Sequence, residues 1–151
     1  MTRGTQKVLV IETQVDDMNP QLFEPVMERL FKAGALDVTL TPVIMKKTRP
    51  GILITVLTPP GRDESAVEIL LEETSTLGVR ITEAVRRTLD REWVTVSTRY
   101  GRIRIKIGRL NGRIMNAAPE YEDCLTAARK RKVSVKAVMD EAAQKYRAKQ
   151  N

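Results

Sequence analysis

The sequence predicts an α+β protein with a ferredoxin-like β-α-β-β-α-β core, followed by a β-hairpin and two C-terminal helices. Three observations predict it. Apolar, β-branched runs of strand length alternate with amphipathic runs of helical period, in that order, through about residue 88. Turn-forming residues fall between them, at Gly34, Pro50-Gly51 and Pro59-Pro60-Gly61. Beyond Leu89-Asp90 come two alternating strands, and then helical patterns alone.

Residues 7–15 read as a buried strand, because the apolar residues are nearly continuous and many are β-branched. Asn19-Pro20 opens a helix to about Ala33, with Leu22, Val26, Met27, Leu30 and Phe31 on one face. Pro25 has to lie in its first turn, where a missing N–H costs little, which moves the onset toward Leu22. Gly34 stops this helix as a left-handed C-cap. Strands at about 36–45 and 51–58 flank the loop Lys46-Lys47-Thr48-Arg49-Pro50.

A second helix near 63–74 presents Ala66, Val67, Ile69, Leu70 and Leu71, with Asp63 as its N-cap. A strand follows from Val79 to about Thr88. Two more, at about 92–99 and 102–110, turn at Tyr100-Gly101. Pro119 stands near the start of a helix that runs to about Arg131. Ser134 caps the last helix, which turns Val135, Val138, Met139, Ala142 and Tyr146 inward. With no Pro-, Gly- or Ser-rich linker and no repeat, one domain is expected over residues 1–151. Its ferredoxin-like core spans about 7–88, and the hairpin and helices about 91–148.

The 151 residues, 42% hydrophobic and 30% charged, have the composition of a globular protein. No apolar run approaches a membrane span and the first residues carry no signal-peptide core. Together with a single cysteine this points to the cytoplasm. The formal charge of +7 favours an anionic partner such as a nucleotide, a phosphorylated small molecule or nucleic acid. Aromatics are scarce, which counts against a single-strand nucleic-acid binder. There is no histidine, so oxygens or Cys124 must hold any metal, and oxygens favour magnesium, manganese or calcium.

Five clusters carry possible chemistry. Asp16 and Asp17 adjoin at a strand end, where like charges call for a cation; the ordinary alternative is a solvated turn with Asp17 or Asn19 capping the next helix. The loop with Lys46, Lys47 and Arg49 suits a polyphosphate, and Gly51 would let backbone approach it; equally it is a solvated hairpin tip. In Glu73-Thr74-Ser75-Thr76-Leu77-Gly78-Val79-Arg80 the hydroxyls and Arg80 offer donors to phosphate or ribose, although a C-cap at Gly78 with incidental hydroxyls explains the spacing more simply. From Asn116 to Cys124, small residues and a proline lead into an acidic first helical turn that suits the helix dipole. Tyr121, Cys124, Leu125 and Ala128 share one face, so Cys124 reads as packing. The alternating run Arg102-Ile103-Arg104-Ile105-Lys106-Ile107-Gly108-Arg109 places its cations on one face; that is either a track for a phosphate backbone or, more ordinarily, the polar side of a half-buried strand. No P-loop or Rossmann fingerprint is present.

VDDMNP, GALDVTLTPVIMKKTRPG, ETSTLGVR and NAAPEYEDC are weak singly but specific together in this order. They resemble the C-terminal domain of the nickel-insertion proteins that complete the nickel-pincer nucleotide cofactor of lactate racemase, over about Glu12 to Ala143. In that family a larger N-terminal region precedes this domain, and the resemblance leads one to expect this chain to be the domain without that region. The resemblance implies an enzyme that binds CTP with manganese or magnesium and cleaves it to CMP and pyrophosphate. It then inserts nickel into pyridinium bisthiocarboxylic acid mononucleotide.

On that resemblance Asp16 and Asp17 hold the divalent ion, and Lys46, Lys47 and Arg49 neutralise the phosphates, with Lys46 and Lys47 the best guesses for assisting cleavage. Thr76 and Arg80 add phosphate or ribose contacts, and Asn116, Glu120 and Tyr121 read cytosine or ribose. The expected partners are the mononucleotide substrate and the family's N-terminal region. A homo-oligomer, a trimer or hexamer, is expected by fold analogy; a membrane is not, and nucleic acid is disfavoured. The rival readings are a non-enzymatic nucleic-acid-binding module and a CTP-sensing domain. Nickel itself finds only Cys124 as a soft ligand in this chain.

Overall fold

A computed structural model describes residues 4–149. The chain divides between Arg87 and Thr88 into two compact units, each with its own buried cluster.

The N-terminal unit runs β1 (Thr5–Val15), α1 (Phe23–Lys32), β2 (Asp37–Met45), β3 (Arg49–Thr58), α2 (Asp63–Glu73) and β4 (Arg80–Arg87). Its strands pair antiparallel in the order β2-β3-β1-β4, which is the ferredoxin-like arrangement expected. Period-two alternation turns Ile11, Thr13 and Val15 of β1, and Ile54 and Val56 of β3, to the side where Val26 and Leu30 of α1 and Ala66, Ile69 and Leu70 of α2 are buried. Burying each large aliphatic side chain stabilises the unit by about 1.5–3 kcal/mol. The expected helical faces narrow at their margins, since Leu22, Phe31 and Leu71 are exposed.

The capping is local. Asn19 accepts from the Gln21 N–H at 3.0 Å and starts a 3-10 turn at Pro20–Leu22, from which α1 continues. Gly34, at φ +101°, ends α1: the Ala35 N–H reaches the Leu30 carbonyl at 3.0 Å, closing a Schellman-type turn. The expected N-cap of α2 moves by one residue. Arg62 holds that position, and Asp63 instead accepts from the Gly61 N–H at 3.1 Å.

The C-terminal unit contains β5 (Asp90–Thr98), β6 (Gly101–Leu110), β7 (Arg113–Pro119), α3 (Tyr121–Arg131) and α4 (Val135–Ala148). The expected hairpin is extended by β7 into a meander of order β5-β6-β7. Its turn is Asn111-Gly112, both at positive φ, a pair that commonly makes tight hairpins. Ile103, Ile105 and Ile107 pack on Cys124, Ala128, Val138, Ala142 and Tyr146. Ser134 caps α4 as expected, accepting from the Ala137 N–H at 3.2 Å.

The first turn of α3 takes over beside β6 where its pairing with β7 stops. Glu120 N–H donates to the Arg104 carbonyl at 2.8 Å, and Asp123 accepts from the Arg104 N–H at 3.0 Å and from its guanidinium at 2.9 and 2.8 Å. These bonds, above all those from the guanidinium, hold the Asp123 carboxyl below its ordinary pKa. A depressed folded pKa adds stability above the pKa of an unfolded aspartate, about 3.9, and loses it as pH falls through the lower folded value. Urea denaturation should therefore find Asp123→Asn less stable than the parent at pH 7. The gap should narrow below about pH 4, and a gap that does not change with pH would mean the carboxylate charge contributes nothing.

Candidate functional site

The topology of the N-terminal sheet decides what surrounds the two aspartates. β1 is central and ends at Val15; β3 and β4 run antiparallel on either side, so both begin beside that end. Val15 pairs with Ile52, Glu12 with Arg80, and Met45 with Arg49. The β2–β3 loop and the α2–β4 loop are thereby carried to either side of Asp16-Asp17. A cleft of about 440 Å³ results, whose lining includes Asp16, Asp17, Lys46, Arg49, Thr76 and Arg80. Six of the residues singled out from sequence meet there. Lys47 is not among the lining residues.

Neither aspartate caps the helix, because Asn19 does so, and both are left to the cleft. Asp16 is mostly buried and pairs with Arg49 at 3.4 Å. Asp17 accepts from the Ser75 hydroxyl. Arg80 lies 3.8 Å from Glu12.

The hydroxyl run has structural partners, which corrects the simpler expectation of a C-cap at Gly78. Thr74 closes α2 by donating to the Leu70 carbonyl at 2.6 Å, four residues before Gly78 is reached. The Thr76 and Thr13 hydroxyls lie against one another and at 2.9 and 3.0 Å from the Gly78 carbonyl, and with one proton each they fill two of these three bonds at a time. Thr13, 2% exposed, clasps the α2–β4 loop onto β1. Its sequence signal is a lone hydroxyl at an inward position between Ile11 and Val15. Left unpaired there, a buried hydroxyl would cost about 1–3 kcal/mol.

The basic loop is a 3-10 turn, Lys46–Thr48, in which Lys47 and Thr48 both have left-handed backbone, at φ 61° and 57°. For a β-branched residue such as Thr48 this conformation is strained, at a cost of order 1–3 kcal/mol, and strain of this kind gathers at ligand clamps and switches. The close approach expected of Gly51 is toward the protein itself. A Cβ there would stand 2.7 Å from the Val15 carbonyl oxygen and 2.5 Å from the Met45 sulfur. A second cleft of about 550 Å³ shares Val15 and Asp16 but is otherwise walled by Met18, Phe23 and other apolar residues, so the polar chemistry belongs to the first.

Two carboxylates, three hydroxyls and three cations around one cleft suit a polyanion bound with a hard divalent cation. Among the described residues no three of His, Cys, Asp and Glu gather as a metal site. Asp16 and Asp17 therefore fit an ion that takes one or two protein carboxylates and completes its shell from phosphate oxygens and water, the habit of magnesium.

The other sequence candidates lie in the C-terminal unit. Asn116 is on β7 opposite Gly108. Glu120 precedes α3 and accepts from the Trp93 indole N–H at 3.4 Å, with Lys106 at 3.5 Å. Tyr121 is exposed, so it leaves the buried face expected to unite it with Cys124 and Ala128. The cationic stripe is largely neutralised: Arg104 by Asp123, Lys106 by Glu120, and Arg109 by Glu92 at 2.7 Å. That leaves little of a continuous phosphate track.

The nickel insertion protein family matches residues 2–139. A pyridinium-3,5-bisthiocarboxylic acid mononucleotide nickel insertion protein of Acetivibrio thermocellus is 47% identical over 134 residues, covering 89% of this chain and 33% of its own length. The protein of the same name from Geobacillus kaustophilus is 45% identical over 142 residues, covering 94% and 34% respectively. This chain thus spans about a third of these relatives. Among solved structures, the apo C-terminal domain of a cyclometallase involved in synthesis of the NPN cofactor of lactate racemase superposes with a TM-score of 0.88. Its identity is 33%, over 94% of this chain and 98% of that one.

Cys124 is fully buried, and burial pushes its thiol pKa up, so it is neither a nucleophile nor an accessible soft ligand. A chromogenic disulfide reagent should leave the native thiol unmodified over minutes and titrate one thiol in denaturant; rapid native labelling would restore Cys124 as a candidate.

Proposed function

We propose, from the premise that this chain belongs to the nickel insertion protein family, that it forms the nucleotide- and divalent-metal-binding part of a nickel-inserting enzyme. The substrate is pyridinium-3,5-bisthiocarboxylic acid mononucleotide, named for the relatives, and CTP is the co-substrate. One observation carries the reading: the acidic pair, the β2–β3 cations and the α2–β4 hydroxyls converge on a single cleft.

A manganese or magnesium ion held here would supply positive charge to a bound triphosphate. Asp16 and Asp17 hold that ion. Arg49 exchanges its partner Asp16 for a phosphate as the nucleotide arrives, which frees the carboxylate at the moment it is needed. Lys46 supplies point charge to the leaving group, with Lys47 at the loop apex beside it. Thr76 and Arg80 contact phosphate or ribose; within the C-terminal unit, Asn116, Glu120 and Tyr121 are the candidates for reading a nucleobase or ribose.

Nickel is cargo in this scheme. With no histidine and a buried Cys124, its ligands are the substrate's own sulfurs and groups of the relatives' remaining length. Assembly as a trimer or hexamer, and action in the cytoplasm, belong to the same reading.

CTP with manganese should raise the thermal midpoint of the protein by several degrees, and the Asp16→Asn, Asp17→Asn double variant should lose the shift. An equal shift in the double variant removes the carboxylates from the site. Pyrophosphate release in the presence of the mononucleotide separates the enzyme from a CTP sensor, which binds without cleaving.

A further inference from the structure

The open face of the C-terminal sheet carries a constellation that the cleft at Asp16 leaves unused. Because Ile103, Ile105 and Ile107 point into the core, the register places Trp93 beside Lys106, Thr95 beside Arg104 and Ser97 beside Arg102 on the opposite face. Trp93 is the chain's one tryptophan, and it is 50% exposed. Its indole is tethered to Glu120 Oε1, the same oxygen that Lys106 approaches, so Oε2 stays open to a further donor. A half-exposed indole anchored at its N–H is a rigid platform with one wet side.

Two residues along β5, about 7 Å away, Thr95 enters a cleft of about 460 Å³ that Arg102, Arg104, Thr126 and Lys130 also line. Asp123 occupies Arg104. Arg102 and Lys130 have no carboxylate partner among the described residues. The C-terminal unit also carries the chain's excess of cations, while the N-terminal unit is close to neutral. An aromatic platform with a carboxylate acceptor therefore shares one sheet face with a cleft that holds hydroxyls and two unpaired cations; Arg102 lies four residues along β6 from Lys106, about 13 Å between backbones, a gap that a nucleotide and the long arginine side chain together span.

We infer that this face is a nucleotide-base site: Trp93 stacks on the ring, Glu120 Oε2 accepts from an amino or hydroxyl group, and Arg102 and Lys130 take a phosphate. The inference rests on the reading that the chain handles nucleotides, and it adds Trp93, Arg102 and Lys130 to that reading. The ring belongs to one of the two nucleotides of the reaction, CTP or the pyridinium mononucleotide, since both offer a flat π-face and an anionic tail.

The single tryptophan makes fluorescence of the whole chain a local report. The probes are CTP with magnesium, nicotinic acid mononucleotide as a pyridinium nucleotide, and ribose 5-phosphate as a ringless control. A ring-bearing probe should quench Trp93 and ribose 5-phosphate should not. By calorimetry, Trp93→Ala should weaken the quenching probe about 5- to 150-fold, the range expected for losing one base–aromatic stack, while Trp93→Phe keeps most of the affinity. Arg102→Gln with Lys130→Gln should weaken nucleotide and ribose 5-phosphate alike. Quenching by CTP assigns the ring to cytosine, and quenching by the mononucleotide assigns it to the substrate.

Equal losses in the Ala and Phe variants would overturn stacking. So would an oligonucleotide that binds more tightly than either nucleotide at the same salt, which would make the face a nucleic-acid track. Calorimetric CTP binding that needs Asp16 and Asp17, with neither CTP nor nicotinic acid mononucleotide quenching Trp93, overturns this site alone and leaves the proposed function standing. Absence of nucleotide binding by every readout removes both.

Discussion

Antiparallel pairing of β1 with both β3 and β4 is the constraint on which the N-terminal unit depends. It fixes which side chains of β1 face the helices, because a slip of one residue would send Ile11, Thr13 and Val15 to the other face. It also fixes where the following strands begin. Both neighbours run opposite to β1, so the loops that lead into them must end beside the last residue of β1. Placing carboxylates, cations and hydroxyls around one cleft needs no further device.

Those loops are held there by different means. Met45 packs over Gly51, where even a methyl group would collide with the Val15 carbonyl, so the β2–β3 hairpin lies tight against the end of β1. The α2–β4 loop is fastened by hydroxyls, with Thr13 and Thr76 bonded to one another and to the Gly78 carbonyl. A buried polar clasp of this kind stabilises only when every member is satisfied, and here each hydroxyl has a partner. Leu77, between Thr76 and Gly78, is fully exposed, which shows that the loop is set by these bonds and not by apolar packing.

The C-terminal unit settles its charges differently. The alternating strand β6 buries its isoleucines and presents its cations, as the pattern requires, but three acids, from β5 and from α3 with its N-cap, meet most of those cations. Asp123 and Glu120 stand in or next to the first turn of α3, where the helix dipole favours acids on its own account, so the same residues serve the helix and the sheet. What remains uncompensated is local, at Arg102 and Lys130.

Periodicity and punctuation alone determined most of the elements. Strand alternation in residues 7–15, the apolar spacing from Val26 to Leu30, and Gly34, Ser134 and Asn19 as caps all report short-range physics that a sequence displays directly. The strand Arg113–Pro119 does not show in the sequence because its small and polar residues carry no clear alternation, although the Asn111-Gly112 turn before it is a signal. Charge and the lack of histidine limited the metal chemistry to oxygen ligands. Only the tertiary structure decided which candidates share a site. It joined Asp16-Asp17 with Lys46, Arg49, Thr76 and Arg80, found Thr13 and left Lys47 outside the lining, because those choices depend on strand order and on contacts between residues more than sixty positions apart.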